Sequence, residues 1–181
     1  MMEGRVKFRD GFHLSSVRLI DKFALLEHFK SKEIYLSTLN IPYPYSEADA
    51  DQWLNRRIEN TQRHGKEVTF AIRKDDEEMI GAVGADSFEI GASHRAEIGY
   101  WLARPYWGQG IMTDAVRAYI QYAFDELKLL HLTAHVFESN VGSARVLEKN
   151  GFKLEGRLRK HFRKEEKLYD AYFFGLLKED V

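Results

Sequence analysis

Glu97-Ile98-Gly99-Tyr100-Trp101-Leu102-Ala103-Arg104-Pro105-Tyr106-Trp107-Gly108-Gln109-Gly110, running on into Ile111-Met112-Thr113-Asp114-Ala115, is the stretch on which the reading of this chain turns. Its first six residues are rich in β-formers and predict a strand. From Ile111 onward the apolar positions Ile111, Ala115, Val116, Tyr119, Ile120, Ala123, Phe124 and Leu127 trace one face of a 3.6-residue helix, predicted over residues 111–127. Gly108 and Gly110 lie between. Glycine lets the backbone turn tightly and approach a ligand closely. A helix N-terminus presents unpaired N–H donors and a partial positive charge. Strand, glycine turn and helix in that order make a site for phosphate or pyrophosphate. Two nucleotide motifs fail here. A Walker loop needs Gly-Lys followed by Ser or Thr, and the dinucleotide fingerprint needs a third glycine where Thr113 stands. The plainer alternative is a glycine turn that only joins strand to helix.

Upstream, residues 12–17 predict a first strand, and a helix starts near Asp21 with Phe23, Leu25, Leu26 and Phe29 as its apolar face. Helix resumes over residues 32–38. Pro42-Tyr43-Pro44-Tyr45 is a stiff extended loop, because proline fixes φ and removes a donor. Ser46-Glu47-Ala48-Asp49 reads as an N-cap with an acidic first turn, and Gly65 ends that helix. Val68, Phe70 and Ile72 alternate as a strand, and residues 79–88 return as its hairpin partner. Downstream, Leu132, Ala134 and Val136 alternate in a strand over residues 131–137. A short helix covers residues 140–150, and Gly151 suits the left-handed residue that ends it. Residues 156–177 close the chain as two strands, the last over 171–177. The class is mixed α/β.

The chain's 181 residues fit one domain, residues 1–181, whose core can bury roughly 70% of the unfolded surface. A net charge of −1 indicates no bulk grip on nucleic acid. The absence of cysteine excludes disulfides, thiolate metal sites and a cysteine nucleophile. The histidines are scattered and no metal is expected. The opening MMEGRVKFRDGF has no apolar signal region, and no run approaches the ~20 apolar residues of a membrane span. A cytoplasmic protein with no membrane contact is therefore expected.

The stretch from Glu97 to Ala115 resembles the acetyl-CoA motif of the GNAT superfamily of N-acetyltransferases. A second block strengthens the likeness: Asn140-Val141-Gly142-Ser143-Ala144-Arg145-Val146-Leu147-Glu148-Lys149-Asn150-Gly151-Phe152, followed by Leu154-Glu155-Gly156. It is similar to the RimJ/RimL branch, which acetylates protein N-terminal α-amino groups, ribosomal proteins included. The resemblance implies a central mixed, mostly antiparallel sheet of six to seven strands flanked by helices, with parallel strands splayed at the CoA site. It implies acetyl-CoA as cosubstrate. The pyrophosphate would lie on the backbone N–H groups of Trp107, Gly108, Gln109, Gly110, Ile111 and Met112, with the Thr113 hydroxyl nearby. The pantetheine arm would pair with the backbone of Tyr100, Trp101 and Leu102 and be met by Asn140 and Ser143.

Amide formation from a thioester needs a deprotonated amine, a stabilised oxyanion and a stabilised thiolate. The amine attacks directly, so no enzyme nucleophile is needed. Glu97, sharing a strand face with Gly99 and Trp101, is the candidate base, through water; a solvated or salt-bridged glutamate is the alternative. The backbone N–H of Leu102 or its neighbour is the oxyanion donor. By the same resemblance, Ser143 is the candidate acid for the thiolate; a small helix residue beside the Asn140 N-cap is the alternative. Many members carry a tyrosine four residues beyond that serine, where this chain has Leu147. A glutamate associated with catalysis in RimL proteins would align near Phe162. Tyr43 and Tyr45, with Trp53, are candidates for an aromatic lip over the acceptor, and Tyr169 and Asp170 for a polar contact to it; ordinary packing is the alternative for each. The basic run Arg157–Lys164 is either a partner contact or a solvated hairpin face. A protein N-terminus is the expected acceptor, with small amines as the alternative acceptors. A CoA-binding sensor without turnover is the alternative of another class. The chain is a monomer or homodimer, with Ile41, Tyr43 and Tyr45 as candidate dimer residues.

Overall fold

The computed structural model describes residues 5–86 and 88–181. Eight strands among them form one sheet in the order β1-β2-β3-β4-β5-β6-β8-β7. These are β1 (Val6–Arg9), β2 (Phe12–Ser16), β3 (Thr69–Lys74), β4 (Met79–Asp86), β5 (Arg95–Leu102), β6 (His131–Phe137), β7 (Lys153–Lys164) and β8 (Lys167–Leu177). The six to seven strands expected become eight because β1 is added at the edge, pairing Val6 with Leu14. Its short V-K-F-R pattern has no flank that separates it from a loop; the pairing comes from β2. Ser87, within the expected strand over 79–88, lies outside the described residues. The last strand begins at Lys167 rather than 171, because its first residues pair along the extended β7.

The ladder is antiparallel except at β5 and β6, which run parallel over Arg95–Glu97 against His131–Thr133. Beyond that short register the two strands part. Register assigns the sheet faces: Phe70, Val83 and Tyr100 share one, and Ala71, Ala82 and Trp101 the other.

Helix α4 (Ile111–Asp125) covers the first face, with Phe70 edge-on to Tyr119 and Tyr122. The helix ends at Asp125 rather than 127; it buries the residues the helical period named within it and also Met112 and Thr113, while Leu127 is buried just beyond its end. Burying each large apolar side chain stabilises by about 1.5–3 kcal/mol. Helix α5 (Val141–Lys149) packs beside it, and Asn150 Nδ2 donates to Thr113 O at 3.1 Å. On the second face lies α1 (Lys22–His28), with α3 (Glu47–His64) packed on it, and α2 (Lys32–Ser37) follows α1 towards Asn140 and Lys164. Phe29 stands edge-on to Trp101 with centroids 4.5 Å apart. Phe23, expected on the apolar face of α1, is instead 72% exposed. The helix has seven residues, too short to bury a full stripe, so Leu25 and Phe29 carry its contact. Ser46 caps α3 in a reciprocal box with Asp49, and Gly65 ends it at φ +64°.

Candidate active site

The turn between β5 and α4 has the backbone its glycines permit. Gly108 and Gly110 sit at φ +74° and +78°, where a side chain is strained. A Cβ at Gly108 would meet nothing within 4 Å, and one at Gly110 only Arg9 Nη1 at 3.7 Å, so space opens above both. Gly110 caps α4 without a side chain, which leaves the first-turn N–H groups of Ile111, Met112 and Thr113 without helical partners. The loop's other groups are pinned. Trp107 Nε1 donates to Leu102 O at 2.7 Å, Gln109 Nε2 to Pro105 O at 2.9 Å, and Arg9 Nη1 to Gln109 O at 2.7 Å. This is an exposed, donor-rich turn at a helix N-terminus, a cradle fit for a diphosphate.

The parting of β5 from β6 opens beside it. Ala103 N–H donates to Ile80 O at 2.7 Å. By strand alternation the backbone groups of Trp101 then face β4, while those of Tyr100 and Leu102 face the gap. An extended ligand could add there as a strand. The Tyr100 side chain crosses the same gap: its hydroxyl is 2.9 Å from Ser143 Oγ and 3.2 Å from Ser143 O. Burial pushes the Tyr100 phenol well above its ordinary value, against a smaller lowering by the Ser143 bond. Asn140 caps α5, its Oδ1 accepting from Ser143 N–H at 3.1 Å, and its Nδ2 donates to Ser37 O at 3.1 Å.

On the opposite face, past the helices, β6, β8 and β7 present an aromatic floor. Glu97 is half exposed and its Oε1 accepts from His135 Nδ1 at 2.9 Å. His135 stacks on His161 at 4.9 Å and meets Phe173 at 4.8 Å. Phe137 touches Phe162 and Tyr169. The floor ends in a cleft of about 300 Å³ between α2 and the β7–β8 turn, lined by Tyr35, Tyr43, Tyr169, Lys164 and Glu165. Lys164 Nζ donates to Tyr35 O and, at 2.6 Å, to Thr38 O, and lies 3.6 Å from the Tyr35 ring centroid. Burial holds its ammonium below the ordinary lysine value, with Glu165 opposing.

Residues 13–153 match the family described as the acetyltransferase (GNAT) domain. The chain belongs to the GNAT acetyltransferase family. It is an acyltransferase of that family, and several of its relatives are named N-acetyltransferases. It is similar to the uncharacterized N-acetyltransferase p20 of Bacillus licheniformis, 31% identical over 168 residues, covering 92% of this chain and 93% of that protein. It is also similar to the ribosomal-protein-serine acetyltransferase of Escherichia coli strain K12, 34% identical over 144 residues, covering 79% and 76%. Its fold matches RimL, a ribosomal L7/L12 alpha-N-protein acetyltransferase solved in complex with coenzyme A. The TM-score is 0.85 at 22% identity, covering 98% and 99% of the two chains.

In this GNAT chain the residues singled out from sequence fall into three places. Trp107–Thr113 form the cradle. Tyr100, Leu102, Asn140 and Ser143 border the gap, while Trp101 turns its side chain into the core against Phe29. Ala103 N–H, one neighbour considered for the oxyanion, is spent on Ile80 O. Tyr43 and Tyr169 line the cleft, whereas Tyr45 packs edge-on to Phe29 at 4.6 Å and its hydroxyl is shielded. In the basic run, Arg157 pairs with Glu138 and Asp170, and Arg163 with Glu166. His131 and His135 stand four apart, a spacing that gathers two metal ligands on a helix; on strand β6 the rise sets them about 13 Å apart. Sequence reasoning missed His135 and Arg9. Alternation about Leu132, Ala134 and Val136 put His135 on the far face, but its meeting with Glu97, 38 positions away, depends on the register of two strands.

Proposed function

We propose that this chain transfers an acetyl group from acetyl-CoA to a primary amine, in particular a protein N-terminal α-amino group. The observation that carries the reading is the open aromatic floor that runs from Glu97 to the Tyr43–Tyr169 cleft. It lies beside the strand gap, with the Glu97 carboxylate at one end and the cleft at the other, so an extended chain laid along it would bring its amine to the Glu97 end. The likeness to a ribosomal-protein-serine acetyltransferase supports a ribosomal-protein acceptor, and with it a cytoplasmic setting.

Acetyl-CoA would supply the activated acyl group. The cradle Trp107–Thr113 holds its diphosphate on backbone N–H groups, and Tyr100 and Leu102 align its pantetheine arm as an added strand. Asn140 keeps one amide hydrogen for the same arm. The Leu102 N–H faces the gap and serves the oxyanion. Ser143, backed by Tyr100, offers its proton to the departing sulfur. Glu97 stands on the amine's side. A free α-amine has a pKa near 8, so only modest help is needed to deprotonate it.

Release of CoA thiol with a panel of N-terminal peptides, polyamines and aminoglycosides tests the reading. Turnover with peptides is the expected result. Turnover confined to small amines moves the acceptor to that class, and tight acetyl-CoA binding without turnover favours a sensor. Failure to bind acetyl-CoA refutes the cradle.

A further inference from the structure

We infer that the proton acceptor of the reaction is Nε2 of His135, held in place by the Glu97 carboxylate, so that two residues of neighbouring strands act as one base. The inference rests on the amine-acetylation reading above and names the group that performs its first step.

The geometry is that of an oriented imidazole. Glu97 Oε1 lies 2.9 Å from His135 Nδ1. A carboxylate only accepts, so Nδ1 carries the hydrogen and Nε2 bears the free lone pair. The ring is held by more than this bond. It stacks on His161 at an interplanar angle of 14°, meets Phe173 at 4.8 Å and stands edge-on to Phe162 at 6.0 Å. The titratable groups facing it are Glu97 from β5 and His161 from β7. His135 is 19% exposed, sheltered yet open to the floor, whereas the Glu97 side chain is 47% exposed.

Position and chemistry agree. The parallel pairing of β5 with β6 ends at Glu97 and Thr133, and His135 is two residues further along β6 on the same face. The ring therefore stands at the rim of the gap where the acyl group would lie. Among side-chain types, the ordinary carboxylate pKa lies roughly four units below that of an α-amine, while imidazole lies about 1.5 below. Imidazole is the better match for the proton to be moved, and the carboxylate is better used to hold it.

The balance is simple. The substrate ammonium gives one proton to Nε2, which frees the nitrogen lone pair to form the bond to the acyl carbon, and the positively charged nitrogen of the adduct then gives its second proton to water. The C–S bond breaks with its electron pair on sulfur, which takes a proton through the Ser143 hydroxyl; Ser143 regains one from water. The imidazolium returns its proton to solvent, and the products are amide, thiol and one net proton.

Steady-state kinetics of His135→Gln and Glu97→Gln, singly and together, test this with the best acceptor found for the wild type. His135→Gln should lower kcat about 100- to 10,000-fold and leave the KM for acetyl-CoA unchanged. The loss should shrink as pH rises and the amine deprotonates in solution. Adding Glu97→Gln to His135→Gln should cost little more. A folded His135→Gln enzyme with wild-type kcat and pH profile overturns the inference and leaves the amine reading intact. A wild type that binds acetyl-CoA but acetylates no amine removes the reading and the inference together. Nitrogen-15 spectra of the imidazole give a readout independent of turnover. The neutral ring should carry its hydrogen on Nδ1 in the wild type and lose that preference in Glu97→Gln; a wild-type hydrogen on Nε2 overturns the pair.

Discussion

Tyr100 and Ser143 hold each other across the place where the sheet opens. The phenol is buried, and burial pushes it up, so it keeps its proton across the working range and remains a donor. This tyrosine comes from the strand, not from the helix position that Leu147 occupies in the core. Tyr100→Phe keeps the ring and removes the hydroxyl's contacts to Ser143 Oγ and O, of which the one to Oγ is worth about 0.5–1.5 kcal/mol, or up to roughly tenfold in rate. The expected outcome is a folded enzyme with kcat lowered by that factor and an unchanged KM for acetyl-CoA. Full kcat in steady-state assays would show that the Ser143 hydroxyl needs no partner. Gly110→Trp puts a large side chain into the cradle at a φ of +78°. Loss of acetyl-CoA binding by calorimetry, with circular dichroism unchanged, is expected. The residue types at both places were legible as strand and turn formers; that Tyr100 meets Ser143, 43 positions away, was not.

Elements differ in how locally they are specified. Helix α3 is written into its own sequence: Ser46 accepts from Asp49 N–H, Asp49 accepts from Ser46 N–H, and Gly65 closes the far end. Ser46→Ala should cost about 1 kcal/mol, read as a lower denaturant midpoint with an unchanged slope. The junction of β2, β3 and the turn before α1 depends on distant partners. Arg73 is almost fully buried and forms a two-pronged pair with Asp21 at 2.7 and 2.8 Å, with Nε on Ser15 Oγ. Asp21→Ala leaves the guanidinium buried without its counterion, at a cost of about 3–5 kcal/mol. Thermal melting should fall by about 10 °C or more for a chain of this size; a shift within a degree or two would mean that water reaches Arg73. Asp21 was legible as a helix start, but its role as the mate of Arg73 came from folding.

The whole molecule carries a pH signature. Burial pushes His13 down, Arg5 and Arg73 add to that, and Glu77 and Asp75 oppose it. Its folded pKa is depressed, so below about pH 6.5 the unfolded chain binds a proton that the folded chain refuses. Stability should therefore be full above that pH and decline as pH falls through it. Denaturant titrations at pH 7.5 and 5.5 check this, and His13→Gln should flatten the difference; equal midpoints for the wild type would show that His13 protonates within the fold. At this scale the order of strands and helices and the glycine cradle were readable beforehand, because propensity, period and turn chemistry act over a few residues. The family's two motifs and the positive-φ glycines of the turn could be read from the residues alone, since both are contiguous. The addition of β1, the burial of Arg73 against Asp21, and the pairing of Glu97 with His135 came from folding. Each depends on register between segments far apart in the chain, and register is settled by the sum of burial across a whole face, which no local window contains.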